Sequence, residues 1–161
     1  MNRWYDIGDF QGLDRELCPG LDESAAAVRG LIASEIAAGI RTERIVLGGF
    51  SQGAALALWS AFALPNAPPP LGAVVCCSGY VPRFNTFSCD ASAVQHVPVA
   101  CFHGAADTVV RTTCGQRAVA KLRESGLADV QWHSYDGMQH DACQEEIDDL
   151  ISFISSKIPQ L

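Results

Sequence analysis

The sequence is short of positive charge. Eleven Lys and Arg stand against eighteen Asp and Glu, a formal net charge of -7, and no basic cluster offsets it. Such a chain repels phosphate backbones and anionic lipid heads, so nucleic acid is excluded as an expected partner. Long apolar runs are also missing. The longest, Ala54–Leu64, is interrupted by Ser60 and is far too short to span a bilayer. The first ten residues, MNRWYDIGDF, hold no apolar core of a signal peptide. There is no CxxC pair, no HExxH, no P-loop, no GxGxxG, no internal repeat and no low-complexity segment. Those absences remove the usual zinc, nucleotide and dinucleotide sites.

What is present is a chain of 161 residues, a length that predicts one domain over 1–161. Its cysteines, Cys18, Cys76, Cys77, Cys89, Cys101, Cys114 and Cys143, are odd in number. Three of them, Cys76, Cys77 and Cys101, lie inside apolar runs. They read as small hydrophobes of a reduced, soluble, cytoplasmic protein rather than as a disulfide framework.

Four short apolar or β-branched runs predict strands: Arg44–Phe50, Leu71–Ser78, Val97–His103 and Val130–Tyr135. The first three are nearly continuous in apolarity, as in strands covered on both faces. Helical spacing lies between them. The first helix is expected to open at Asp22-Glu23-Ser24, with an N-cap there, and to stop at Gly39. Further helices are expected over Gly53–Leu64, Thr113–Ser125 and Cys143–Ile158. Gly79–His96 reads as irregular. Strand and helix alternate, which predicts an α/β fold: a mostly parallel sheet with helices on both faces.

Gly49-Phe50-Ser51-Gln52-Gly53 follows the first strand and precedes a helix. A serine on such a turn is forced out above the sheet, and neighbouring chain passes close enough that glycine is needed on both sides. The helix start aims its N–H groups at the same place, and the N–H of Gln52 is positioned to donate to an oxyanion. The alternative is a glycine-rich bend that only carries the chain from strand to helix.

A serine hydroxyl needs a base. Of four histidines, His133 falls inside a strand pattern, His96 has no acidic neighbour, and His103 ends the third strand and is expected to order the turn after it. His140, between the last strand and the last helix, lies at a carboxyl end of the sheet, where α/β sites gather. It is the best base, with capping of the last helix as its other possible role. Asp107 follows the third strand and is the best orienting carboxylate, with Asp136 and Asp141 as alternatives. The order Ser51, Asp107, His140 is that of α/β-hydrolases. Metal ligation is the competing reading of His103, Asp107 and His140. Cys143 is a thiol close to the site, but it falls on the apolar side of a helix start and reads as core.

"GIRTERIVLGGFSQGAAL", "HGAADTVV", "YDGMQHDAC" and the aromatic-aromatic-Asp segment of "MNRWYDI" resemble, in order and across essentially the whole chain, the signature blocks of the acyl-protein thioesterase/carboxylesterase/lysophospholipase family. The resemblance implies an α/β-hydrolase fold with Ser51 as nucleophile, His140 as base and Asp107 as orienter, and no cofactor is expected. It implies hydrolysis of acyl thioesters and esters, including palmitoyl-cysteine on proteins and single-chain lipids, with at most transient membrane contact. The short Gly79–His96 connection leaves no room for a large cap and suits bulky substrates such as a lipidated protein tail. One departure is equally plain. Family members begin with further strands and a His-Gly-x-Gly-Asp loop carrying a second oxyanion donor, and no such motif occurs in this chain. The expected domain is therefore incomplete at its N-terminus, and the apolar edge of the Arg44–Phe50 strand, which in the family pairs with one of those further strands, is expected to be unpaired. Two other readings follow: a catalytically impaired form that acts as a binding module, or a carboxylesterase of small molecules.

Overall fold

The structure, a computed structural model, describes residues 3–7 and 17–158. Among these, four strands form one sheet in the order β1-β2-β3-β4, and every neighbouring pair is parallel. They are β1 (Val46–Phe50), β2 (Ala73–Cys77), β3 (Val99–Gly104) and β4 (Val130–Tyr135). The helices are α1 (Leu21–Ala37), α2 (Gln52–Phe62), α3 (Ala91–Val94), α4 (Thr112–Glu124) and α5 (Gln144–Lys157). All four predicted strands and all four predicted long helices form.

Side chains alternate across the sheet with period two. Val74, Cys76, Val99 and Cys101 face a large apolar cluster with Leu21 and Ile32 of α1, Leu56 and Leu58 of α2, and Val119 and Leu122 of α4. Ala73, Val75, Ala100 and Phe102 face a smaller cluster closed by Phe153 of α5. A parallel sheet needs helices on both faces to bury both sets, and here three long helices lie on one face and one on the other.

Three details differ from the sequence reading. The first helix opens one residue earlier, at Leu21, and its N-cap is Gly20 at φ 86, with Asp22 and Glu23 inside the first turn. The acidic pair stabilises the positive end of the helix without capping it. The irregular stretch contains α3, which Asp90 caps by accepting from the N–H of Ser92 at 3.0 Å. The third difference is β1. While β2 and β3 are buried almost throughout, Phe50 at the end of β1 is 44% exposed. Among the described residues β1 pairs only with β2, so its apolar sequence does not mean cover on both sides. Two apolar troughs of about 480 and 570 Å³ run beside it, one along α1 and α2, the other between the sheet and α5.

Candidate active site

Ser51 sits between β1 and α2 at φ 56, ψ -121, a region that non-glycine residues occupy at a cost. The surroundings hold it there. Its N–H donates to Cys77 O at 2.8 Å, and its carbonyl accepts from the N–H groups of Ala54 and Ala55 at 3.0 and 3.1 Å. A Cβ on Gly49 would lie 2.3 Å from the carbonyl carbon of Gly53, so the turn closes only with glycine at 49. As the first residue of α2, Gln52 has no intrahelical acceptor for its N–H, which points with the helix's positive end toward the space beside Ser51.

Asp107 follows β3, and its carboxylate is enclosed. Oδ1 accepts from the N–H groups of Val109 and Val110, both at 2.9 Å. Oδ2 lies 2.7 Å from His140 Nδ1 and 3.5 Å from His103 Nε2. An ionised carboxylate only accepts, so Nδ1 of His140 carries the proton and donates to it. That tautomer leaves the Nε2 lone pair free. Nε2 stands 2.9 Å from Ser51 Oγ, where the hydroxyl donates to it. The His140 ring packs on Phe50, centroids 4.8 Å apart at 44°.

The three side chains come from the carboxyl ends of β1, β3 and β4, so the sheet's parallel register aligns them. The loop carrying His140 is tied to the end of β3. Ala105 N–H donates to Tyr135 O at 2.9 Å and Ala106 N–H to Met138 O at 3.0 Å.

The remaining sequence candidates lie elsewhere. His103 is buried in β3, and its Nε2 donates to Val110 O at 2.8 Å, so it does order the turn that presents Asp107. Burial pushes its pKa below the ordinary histidine value, against the smaller upward pulls of the Val110 carbonyl and Asp107. His133 stacks on Phe102 in β4, centroids 4.9 Å apart. His96 is exposed in the loop after α3. Asp141 bonds the N–H of Ala142 at 2.8 Å. Asp136 is exposed at the end of β4. Cys143, not His140, caps α5, its Sγ accepting from Glu146 N–H at 3.5 Å. Half-buried Cys143 packs against the cluster under α5. Cys77, at the end of β2, is a poor competitor as a nucleophile, since burial chiefly, with the Glu146 charge second, pushes its thiol up to about 12. All seven cysteines are free thiols. Among the described residues no group of three or more His, Cys, Asp or Glu is placed to hold a metal ion.

Two features of the site have little or no sequence signal: the Phe50 ring under His140 and the grip on the Gln52 side chain described below. Each depends on which loops meet in space.

A base held in one tautomer between a carboxylate and a hydroxyl is the arrangement for acyl transfer through a serine. Comparison with known proteins agrees with that chemistry. The phospholipase/carboxylesterase family matches residues 1–158. Acyl-protein thioesterase 1 of Gibberella zeae is 35% identical over 167 residues, covering 99% of this chain and 69% of its own length. The protein of the same name from Yarrowia lipolytica is 34% identical, covering 99% of this chain and 70% of its own length. Among solved structures, Arabidopsis thaliana SOBER1 superposes with a TM-score of 0.82 at 27% identity, over 99% of this chain and 75% of that one. Zea mays acyl-protein thioesterase 2 gives 0.79 at 28%, over 98% and 73%. The chain belongs to the phospholipase/carboxylesterase family and is a hydrolase of carboxylic esters or thioesters with an α/β-hydrolase-like fold.

Proposed function

We propose that this protein removes fatty acyl groups from acylated proteins, with Ser51 as nucleophile, His140 as general base and acid, Asp107 as the orienting carboxylate and the N–H of Gln52 as an oxyanion donor. The reading rests on one observation above all: the continuous pair of hydrogen bonds from Ser51 Oγ to His140 Nε2 at 2.9 Å and from His140 Nδ1 to Asp107 Oδ2 at 2.7 Å. Ser51 Oγ attacks the acyl carbonyl while His140 takes its proton. The carbonyl oxygen becomes an oxyanion facing the start of α2. Collapse expels the cysteine thiol, which leaves with the proton held by His140. Water then attacks the acyl-serine by the same route, releasing the fatty acid and restoring the hydroxyl. The sum is thioester plus water giving acid plus thiol.

The protein substrate is favoured by the acyl-protein thioesterases among its relatives and by the short connection after β2, which places only α3 between the second and third strands. Single-chain lysophospholipids are a second substrate class for the same chemistry. Among the described residues no helix is long and apolar enough to cross a membrane, so contact with an acylated membrane surface would be peripheral. The proposed setting is the cytoplasm, where seven free thiols stay reduced.

The test begins with a fluorophosphonate probe on the purified chain, beside Ser51→Ala and His140→Ala. Labelling in the wild type and in neither variant is the expected result. Turnover of a palmitoyl-cysteine peptide is then compared with that of a palmitoyl oxyester and a short soluble ester. Equal labelling of Ser51→Ala would remove the assignment. Preference for the short ester would replace the protein substrate with a small one.

A further inference from the structure

We propose that the side chain of Gln52 is a positioning residue, a clasp that fixes the oxyanion-binding N–H of its own backbone by gripping the chain at Trp4 and Tyr5. The inference rests on the assignment of Ser51 and the Gln52 N–H made above. Gln52 Oε1 accepts from the N–H of Trp4 at 3.1 Å, and Gln52 Nε2 donates to the carbonyl of Tyr5 at 2.7 Å. Both ends of one amide are used, and both partners are backbone atoms lying 47 and 48 residues away in sequence.

The partner segment is itself held at points that do not involve Gln52. Tyr5 is buried and its hydroxyl meets that of Tyr80 at 2.7 Å. Asp6 N–H donates to Pro19 O at 2.9 Å, and Ser24 Oγ donates to Trp4 O. The clasp therefore closes on a fixed edge, not on a loose strand.

The geometry gives it a job. The peptide plane between Ser51 and Gln52 carries the N–H that would meet the oxyanion. Two bonds onto its carbonyl, from Ala54 and Ala55, set the tilt of that plane from the helix side. The Cα of Gln52, which follows directly on the strained φ of 56 at Ser51, gains a second anchor from outside the helix. The side-chain clasp supplies that second anchor. No capping role explains the amide, because both of its bonds go to the backbone of Trp4 and Tyr5 and not to that of α2. Helix propensity does not explain it either, since alanine or leucine would serve as well.

Losing an oxyanion donor outright costs roughly 10²–10³ in turnover. Misplacing it should cost part of that, and only in the transition state. The test uses Gln52→Met, which keeps the size and loses both bonds, beside Gln52→Glu, which keeps the acceptor for Trp4 N–H and turns a lone pair toward the Tyr5 carbonyl. Wild type, both variants and Ser51→Ala are assayed with p-nitrophenyl octanoate, and inhibition by an octyl trifluoromethyl ketone is measured in parallel. That ketone adds to the serine and places an oxyanion in the hole.

The expected result for Gln52→Met is kcat lower by about 10- to 100-fold, KM within about twofold, and ketone affinity lower by about the same factor as kcat. Thermal unfolding should move little. If Gln52→Met is instead unfolded, the same pattern is expected of Gln52→Glu. A fall in kcat with unchanged ketone affinity, or kcat within about twofold of wild type, overturns the clasp while leaving Ser51 in place. Full activity of Ser51→Ala overturns the underlying assignment, and the clasp with it.

Discussion

Gly104, the last residue of β3, touches the loop that carries His140: a Cβ placed on it would lie 2.2 Å from the carbonyl oxygen of Met138 and 2.4 Å from that of Gln139. Two backbone carbonyls leave no flexible atom to yield. Gly104→Ala should therefore push residues 138–140 away from Asp107. A stability loss of about 1–3 kcal/mol is expected from the overpacking. Fluorophosphonate labelling should fall by more than tenfold, because the 2.7 Å bond between His140 and Asp107 lengthens. Labelling rate and a urea melt on the same sample separate the two effects.

His103 makes stability depend on pH. It is 1% exposed and its pKa is lowered, chiefly by burial. The unfolded chain then binds a proton near pH 6.5 while the folded chain still refuses it. More protons on the unfolded state means stability rises with pH across that window. The contribution is fully present above about pH 7 and is lost as pH falls from about 6.5 toward the lower folded value. His103→Gln keeps a donor for Val110 O and removes the titration. Its unfolding free energy should be flatter between pH 5 and 7 than that of the wild type, measured by urea melts at each pH.

Glu146 has the opposite sign. The residue is 3% exposed and lines the trough between the sheet and α5, and its Oε1 has no hydrogen-bond partner among the described residues. Burial chiefly, and Asp141 second, raise its pKa. Here the folded chain holds the proton longer than the unfolded one. Stability is thus lost as pH rises through the unfolded value of about 4.3 toward the folded one. Glu146→Gln should raise the thermal midpoint at pH 7–8 by about 2–4 °C. The difference should vanish below about pH 4.

Leu31 is 69% and Ile147 40% exposed, and each lines one of the two troughs beside β1. Among the described residues β1 pairs only with β2, and an apolar strand edge with apolar walls favours association between chains. Leu31→Lys and Ile147→Lys together should raise the protein concentration at which light scattering departs from that of a monomer. Neither residue touches Ser51, Asp107 or His140 in the contacts described above, so labelling by the probe should be unchanged. Equal scattering of variant and wild type would show that these two side chains do not drive association.

Arg29 reaches from α1 to the carboxyl end of α2. Its guanidinium donates to the carbonyls of Ser60, Trp59 and Ala63 at 3.0, 3.1 and 2.8 Å. Arg29→Ala leaves these carbonyls at the end of α2 without it and should cost about 1.5–3 kcal/mol. The opposite end of α2 starts the site, so the labelling rate of the folded fraction should stay within about twofold of wild type. Chemical melts and probe kinetics check the pair of outcomes.

By itself the sequence was enough for the alternation of strand and helix. Runs such as Leu71–Ser78 and the helical spacing after Asp22 are local signals, and they placed every strand and long helix to within a few residues. Local signals also put Ser51, Asp107 and His140 each past the end of a strand, and the structure brings their side chains within hydrogen-bonding distance. Tertiary structure decided the rest. An apolar strand reads the same whether it lies inside a sheet or at its edge, so the strand's own residues did not show the exposure of Phe50 on β1, and only the resemblance pointed to an unpaired edge there. The cap of α1 went to Gly20 because a left-handed φ, which the local pattern does not announce, ends the turn before it. The clasp of Gln52 on Trp4 and Tyr5 and the need for glycine at 104 arise between segments far apart in the chain. They are set by how the loops at the carboxyl ends of the strands pack, and periodicity carries no information about that.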